Sequence, residues 1–459
     1  MKKPNAFKSF FSITACKFTR SFLRKTGRGG TAVPGIVAMK FSKNILARVT
    51  DGMKIIAVTG TNGKTTTCNM LRHALIKNGY SCLENNAGAN LLHGITSDLV
   101  CNSTATGKPK YEYAVLEVDE AVLKLLVPLV NPKVIVTTSL FSDQTDRFGS
   151  VQNTLKEIRA GVEASPDPVL VVNADEPLTA SLALNIPNKV IRYGIGKNAG
   201  AKGKVDLSDA GVCPVCGGEY SYEYNTYAHL GGFYCHECGY KRSRPDVQVM
   251  SVSRTDTAGS DIKVNIDGYL KDVQISLPAV YNIYNAAACI AAIKALEHPV
   301  KEAIDSLADV KPAFGRLETF DLNGNRTQMI LVKNPASCNQ AFSYVTGFDD
   351  DFTAVLCLNN RTGDGHDFSW IEQTDYERLC SDPHLKKIYA GGDRTDDLYD
   401  RLLRAGASEE IMEKFSDYKT LVGKLKEEGR PIFLLPNYTA MMELRAAVTA
   451  ETGNKEFWE

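Results

Sequence analysis

Nowhere in its 459 residues does the chain contain a run of eighteen apolar residues, which excludes an ordinary membrane-spanning helix. Its opening residues lack the uninterrupted apolar core of an export signal. Net charge is also missing: 53 Lys and Arg balance 53 Asp and Glu, so the whole chain offers no electrostatic footprint for nucleic acid or an acidic ligand. Neither an internal repeat nor a low-complexity linker is present. What remains is a globular composition, 44% apolar and 23% charged, in a chain too long for one core. Two or three domains are expected, in the cytoplasm. Twelve cysteines without an export signal point to reduced thiols and metal binding rather than disulfides.

A local absence is as informative. Met1 to Asn44 contains ten Lys or Arg and no acid, with Phe7, Phe10, Phe11, Phe18 and Phe22 interleaved. Such a segment packs on a domain with its charges solvated, or lies on an anionic membrane surface as a basic aromatic helix. The first reading is the plainer one. A peripheral position at the inner face of the membrane is the alternative.

The most specific motif is Gly60-Thr61-Asn62-Gly63-Lys64-Thr65-Thr66. It follows the apolar run Ile55–Val58, which reads as a buried strand, and precedes a segment of helical spacing to Lys77. A glycine-bounded turn ending in Lys-Thr between strand and helix is the context of a phosphate-binding loop. Amides of Asn62 to Thr65, at the positive end of the helix dipole, are expected to face phosphate oxygens. Lys64 is expected to reach the terminal phosphates and the Thr65 hydroxyl to ligate Mg²⁺. The ligand is therefore a nucleoside triphosphate.

Strand-like runs at Tyr113–Glu117, Lys133–Thr138 and Pro168–Asn173 alternate with helix-length segments, predicting a doubly wound, mostly parallel sheet. A Gly- and Cys-rich insertion, residues 202–246, breaks the alternation; β-rich residues Gln248–Leu277 and an Ala-rich helix, Asn282–Leu296, follow. Beyond Arg316 the pattern restarts with strands at Met329–Val332, Thr353–Leu358, Lys387–Tyr389 and Pro431–Leu435, a second α/β domain. The expected division is a basic segment at 1–50, a central domain at 51–315 carrying the insertion, and a C-terminal domain at 316–459.

Within the insertion, Cys213-Pro-Val-Cys216 and Cys235-His-Glu-Cys238 have the spacing of a four-thiolate Zn²⁺ ribbon, a closed and hence structural site. Gly217, Gly218 and Gly239 supply its tight turns, and His229 and His236 are assigned to packing or surface rather than to the metal. Glu117-Val-Asp119-Glu120 ends a strand, where ligands of an open sheet gather, so Glu117 is a candidate Mg²⁺ ligand. The polar run Thr137 to Arg147 is a weaker substrate- or metal-facing candidate.

The short loop G-T-N-G-K-T-T resembles that of the Mur ligase and folylpolyglutamate synthase group, which activate a carboxylate as an acyl phosphate and couple it to an amine. Tyr281-Asn282-Ile-Tyr-Asn285-Ala-Ala is similar to the group's helix start whose asparagines lie near adenine. Phe314-Gly315-Arg316-Leu317-Glu318 looks like its hinge, whose arginine approaches the phosphates. With the zinc ribbon, Gly27–Gly35, Lys333-Asn-Pro-Ala336, Gly363-Asp364-Gly365-His-Asp367-Phe-Ser-Trp370 and Leu435–Met441, the chain resembles the MurT family, synthetase subunits of lipid II isoglutaminyl synthase. Gln144 stands where ordinary Mur ligases have His; Ser337 and Asn359-Asn360-Arg361 depart from the MurT pattern.

The resemblance implies a Mur ligase-like α/β fold and an ATP- and Mg²⁺-dependent amidation. The α-carboxylate of D-glutamate in lipid II becomes an acyl phosphate, and ammonia converts it to D-isoglutamine. The ammonia comes from a GatD-type glutaminase partner, in keeping with the absence here of a G-x-C-x-G nucleophile turn. Lys64, Glu117 and Arg316 are implied on the ATP side. Asp367, with Asp364 as the alternative, is implied to orient the partner's catalytic His. Two rival readings are an amino-acid-adding ligase of peptidoglycan or folate type and a zinc-ribbon adaptor using ATP as a switch. The near-balanced charge of 202–246 argues against nucleic acid.

Overall fold

The computed structural model describes residues 4–26, 31–85, 88–141, 150–199, 211–256, 258–312, 315–365 and 367–452. Gly27 to Gly30, Gln144 with its neighbours to Arg147, and Phe314 therefore lie outside the described residues. The chain forms two compact units, one running through Phe141 and from Ser150 to Lys311, the other from Pro312 onward.

The first unit opens with helices α1 (Ala6–Lys25), α2 (Val33–Phe41) and α3 (Ile45–Val49). Strand β1 (Lys54–Thr59), α4 (Lys64–Lys77), β2 (Cys82–Glu84), α5 (Leu92–Cys101), β3 (Tyr113–Glu117), α6 (Leu123–Val130) and β4 (Val134–Thr137) follow. After Ser150 come α7 (Val151–Glu163), β5 (Val169–Asn173), α8 (Pro177–Ser181) and β6 (Val190–Ile195), then a separate hairpin, β7 (Tyr220–Tyr227) with β8 (Leu230–Cys235). Strands β9 (Val247–Asp256), β10 (Gly259–Ile266) and β11 (Tyr269–Ile275) and helices α9 (Val280–Ala295) and α10 (Val300–Ser306) complete it.

Among the described residues nine strands share one sheet in the order β11-β10-β9-β6-β5-β4-β1-β3-β2. All neighbours from β9 to β2 are parallel; β10 and β11 add an antiparallel edge. The parallel strands are apolar on both faces because both are covered. Ile55, Ala57, Ala114, Leu116 and Ile135 join Ile13, Cys16, Ala38 and Leu46 of the leading helices in one core, so the basic segment is part of this unit. Helix α9 is buried almost all round; its alanines, from Ala286 to Ala292, let it approach the sheet closely.

Helices α1 and α5 are tied by Arg20 to Asp98 at 3.0 Å, and Ser12 Oγ donates to the Ala38 carbonyl of α2 at 2.8 Å. The aromatic side chains of α1 take no part in this packing: Phe7, Phe10, Phe11, Phe18 and Phe22 are all exposed.

The second unit contains β12 (Arg316–Leu322), β13 (Asn325–Ile330), α11 (Pro335–Val345), β14 (Phe352–Cys357), α12 (Tyr376–Cys380), β15 (Leu385–Gly391), α13 (Thr395–Arg404), β16 (Met412–Lys414), α14 (Tyr418–Leu425), β17 (Ile432–Pro436) and α15 (Tyr438–Thr452). Its sheet order is β12-β13-β17-β14-β15-β16, parallel except for the β12–β13 hairpin. Strand β12 was not anticipated. A bulge after Arg316, with buried Leu317 at φ +62°, interrupts its alternation of apolar and polar residues. Ser337, a departure from the MurT pattern, completes a capping box with the N-cap residue Asn334. Its amide donates to Asn334 Oδ1 at 2.8 Å and its hydroxyl accepts from the Asn334 amide at 3.1 Å, a reciprocal box at the start of α11.

Candidate nucleotide site and four-sulfur cluster

Strand β1 is the switch point of the first sheet: the chain leaves it for β2 and β3 on one side and returns to β4 on the other. Ligands of open α/β sheets bind outside the carboxyl ends of strands at such a point. The turn from β1 into α4 is the predicted loop, and its two glycines are required by their surroundings. Gly60 has φ +126°, and a Cβ there would meet Thr138 Oγ1 at 2.3 Å. Gly63 caps α4 in the left-handed region at φ +92°, and a Cβ there would meet Asn285 Oδ1 at 2.4 Å.

Strand β4's end clamps the loop. The amides of Thr61 and Asn62 both donate to the Ser139 carbonyl, at 2.9 and 3.4 Å, and Thr61 Oγ1 donates to the Phe141 carbonyl at 3.2 Å. This corrects one expectation: the Asn62 amide turns toward the strand end rather than toward a phosphate. Thr66, the third residue of α4, is buried.

Lys64 Nζ bonds the Gly60 carbonyl and pairs with Glu120 Oε1 at 2.8 Å. Thr65 Oγ1 donates to Glu117 Oε2 at 2.8 Å, so the two expected Mg²⁺ ligands are already in contact. Glu117 is held in turn: its amide donates to Asn85 Oδ1 at 2.8 Å, and Asn90 Nδ2 reaches its Oε1 at 3.4 Å. Two hard oxygen donors, one on the first turn of α4 and one at the end of β3, beside a lysine, fit a Mg²⁺–phosphate group. Beside them, burial pushes the Glu84 carboxyl up to about 7; Arg72, 3.9 Å away, opposes the rise and Glu117 adds to it. Glu120 and Glu84 were missed as site residues. The Glu-x-Asp-Glu run signalled the first, whereas only the sheet order brings the second to Glu117.

Asn282 and Asn285 both lie here, one helical turn apart on α9. Asn285 Oδ1 accepts from Thr67 Oγ1 at 3.3 Å and its Nδ2 donates to Asn282 Oδ1 at 3.1 Å. Asn285 thus braces the phosphate loop from behind. Arg316 and Asp367 belong to the second unit. Arg316 opens β12 at its bulge.

Asp367 follows β14 in a loop at the carboxyl end of that sheet. It is exposed, accepting the Ser369 amide at 2.8 Å, while its neighbour Phe368 lies 4.0 Å from the Arg394 guanidinium. Asp364 is committed differently: it accepts the amide and hydroxyl of Thr439 at the start of α15, closing its loop onto that helix.

The four sulfurs of Cys213, Cys216, Cys235 and Cys238 lie within 4.8 Å of one another, with Cys213–Cys238 at 3.7 Å and Cys216–Cys235 at 3.5 Å. Sulfurs about 2.3 Å from a tetrahedral zinc stand about 3.8 Å apart, so the set fits that ion. Gly217 and Gly239, at φ +81° and +74°, turn each knuckle, and their amides donate back to the carbonyls of Cys213 and Cys235. His229 and His236 are outside the cluster. His229 is buried against Glu176 at 3.2 Å, and His236 bonds Ser221 at 2.8 Å.

A second buried carboxylate, besides Glu176, helps fasten the hairpin to the sheet. Asp175 accepts from Arg242 Nε at 2.6 Å, from the Ile195 amide at 2.6 Å and from the Tyr284 hydroxyl at 2.8 Å. Thr226 of the hairpin lies 2.6 Å from that same Tyr284 hydroxyl, one residue before Asn285.

This sheet and loop define a Mur ligase-like α/β protein. Residues 58–228 match the Mur ligase middle domain, and the fold is similar to that of MurF from Acinetobacter baumannii, at 17% identity and TM-score 0.67 over 91% of this chain and 80% of that one. Residues 331–441 match the MurT ligase C-terminal domain. The chain is 34% identical over 445 residues to the MurT subunit of the glutamine-hydrolysing lipid II isoglutaminyl synthase of Streptococcus pneumoniae, covering 95% of this chain and 96% of that protein. It belongs to the MurT family. A UDP-N-acetylmuramate–L-alanine ligase of Mycobacterium ulcerans is also 34% identical, but over only 161 residues, 34% of this chain and 31% of that one.

Proposed function

We propose that this chain is the synthetase subunit of a lipid II isoglutaminyl synthase, a carbon–nitrogen ligase that uses ATP to amidate the α-carboxylate of D-glutamate. The observation that carries the reading is the extent of likeness: the MurT relative matches across both units, the alanine-adding ligase over about a third of the chain.

A carboxylate oxygen of the substrate attacks the γ-phosphorus of ATP and ADP leaves, giving an acyl phosphate. Ammonia then attacks the acyl carbon, loses a proton, and inorganic phosphate leaves with the former carboxylate oxygen. Lys64 exchanges its contact with Glu120 for the terminal phosphates, and Arg316 supplies further positive charge. Stabilising charge on a transferring phosphoryl group is mainly an electrostatic task. Thr65 and Glu117 would hold Mg²⁺, which when bound would neutralise charge on the phosphates. Asn282 and Asn285 fix the wall of the nucleotide site, and Gly60 to Thr66 form its floor.

Cys213, Cys216, Cys235 and Cys238 hold one structural Zn²⁺, making the insertion a zinc ribbon. The domain reading is a central ATPase domain to about residue 315 with that ribbon inserted, then a C-terminal domain. The second domain receives a GatD-type glutaminase, and Asp367 orients that partner's catalytic His. Exposure of Asp367 supports this choice over Asp364, which is occupied by Thr439.

The test separates the two nitrogen sources. With its glutaminase partner, the chain is expected to amidate lipid II using glutamine or free ammonia; alone, only ammonia serves. Asp367→Asn should impair the glutamine reaction and spare the ammonia reaction, since an amide cannot stabilise an imidazolium. Equal loss with both sources would move Asp367 to the ATP half. No amidation by the wild type with ammonia and ATP would refute the function.

A further inference from the structure

Helix α1 carries two opposed faces. Ser9, Ser12, Ile13 and Cys16 face the core, whereas Phe7, Phe11, Phe18 and Phe22, spaced by four, seven and four residues, form a stripe on the opposite side. Phe7 and Phe18 are each 72% exposed. Every exposed phenylalanine among the described residues lies between Phe7 and Phe41, and Val33 and Ile36 of α2 are exposed as well. A folded chain rarely leaves such a patch in water without a use for it.

Its charge identifies the occupant. Ten of the 53 basic residues and none of the 53 acidic ones lie in residues 1–44, so this segment carries +10 while the rest of the chain carries −10. Lys8, Arg24, Lys25, Lys40 and Lys43 are exposed. A second copy would oppose +10 with +10, whereas an anionic bilayer attracts the basic side chains and accepts aromatic rings at its headgroup boundary. No described helix is long and apolar enough to cross a membrane, so the contact lies in the surface plane.

We infer that α1, flanked by α2, is a docking surface for an anionic lipid bilayer, with the phenylalanine stripe inserted among the acyl chains and the basic residues at the phosphate level. Lys17 and Arg20 hold the helix to the body through Ser103 and Asp98, leaving the stripe presented outward. The inference rests on the proposed reaction only for its purpose, which is to hold the enzyme where a lipid-borne substrate resides.

The full chain, without nucleotide or substrate, is sedimented with phosphatidylcholine vesicles containing or lacking phosphatidylglycerol. Wild type should bind the anionic vesicles, weaken as salt is raised, and bind neutral ones poorly. Phe11→Ser with Phe18→Ser should lower the partition coefficient by about tenfold or more. Lys8→Glu with Arg24→Glu and Lys25→Glu should lower it separately, and none of these residues is needed for packing. Wild-type protein left in the supernatant, or variants that bind as wild type, would overturn the inference. So would a wild-type dimer that the Phe variant makes monomeric with vesicle binding unchanged, since the occupant would then be a second copy. Ammonia-dependent amidation of a water-soluble substrate without the lipid carrier should be equal in wild type and variants. Its failure in the wild type would count against the reaction and leave the vesicle result standing.

Discussion

Replacing Gly63 by alanine is expected to damage the phosphate loop through two effects that can be measured apart. Gly63 sits at φ +92°, where an L-residue costs roughly 1–2 kcal/mol. The added methyl would also lie 2.4 Å from Asn285 Oδ1, so Asn285 must swing away. That motion breaks its bonds to Thr67 and Asn282, each worth about 1 kcal/mol, and strands buried polar atoms at a further cost of about 1 kcal/mol or more. The single variant should lose about 4 kcal/mol in urea denaturation, with weakened ATP binding. Asn285→Ala alone forfeits the bonds, and about 2 kcal/mol, without a clash. In the double variant the methyl meets no oxygen and the bonds are lost only once, so the combined loss should fall short of the sum by about 3 kcal/mol. Strict additivity would mean that loop and α9 do not touch, and the bracing role of Asn285 would be wrong.

Three other outcomes are expected. Lys64→Ala should lower ATP-dependent amidation by about a hundredfold or more and also lower the denaturation midpoint, because the buried Glu120 loses its cation; wild-type turnover would remove Lys64 from the phosphate site. Protein purified without chelator should contain one Zn²⁺ per chain by elemental analysis, and Cys213→Ser with Cys216→Ser should abolish it and lower stability by several kcal/mol. Ala279→Gly, at a position with φ +77° and ψ 147° that suits glycine alone, should raise stability by about 1 kcal/mol after the larger entropy of the unfolded chain is subtracted; an unchanged melting temperature would show the turn to be unstrained.

How much of this could be read from sequence follows the range of the forces involved. The loop around Lys64, the strand ending at Glu117 and the knuckles at Cys213 and Cys235 are local patterns, and each was legible. The pairing of Lys64 with Glu120 and the nearness of Glu84 to Glu117 depend on β2, β3 and β1 being neighbours, which no short window contains. Strand β12 escaped notice because Leu317 breaks its period, although Asn323-Gly324 marks the turn that follows. The phenylalanines of α1 were visible as a cluster, but which side of the helix faced the core was decided by Ile13 and Cys16, and only the packing reveals it.

The carboxylate of Asp175 has a consequence for anyone wishing to shorten this protein. The hairpin looks removable, a self-contained loop with its own cluster of four thiols. Excising it, however, would take away Arg242 and Thr226 and leave an acid set in the protein interior with only the Ile195 amide and Tyr284 for company. An orphaned charge of that kind costs about 3–5 kcal/mol, enough to consume much of a domain's stability. A minimal version would need Asp175 and Tyr284 made apolar at the same time, and Gly194, whose missing side chain makes room for Asp175, filled to match. The appendage and the sheet would have to be redesigned as one piece.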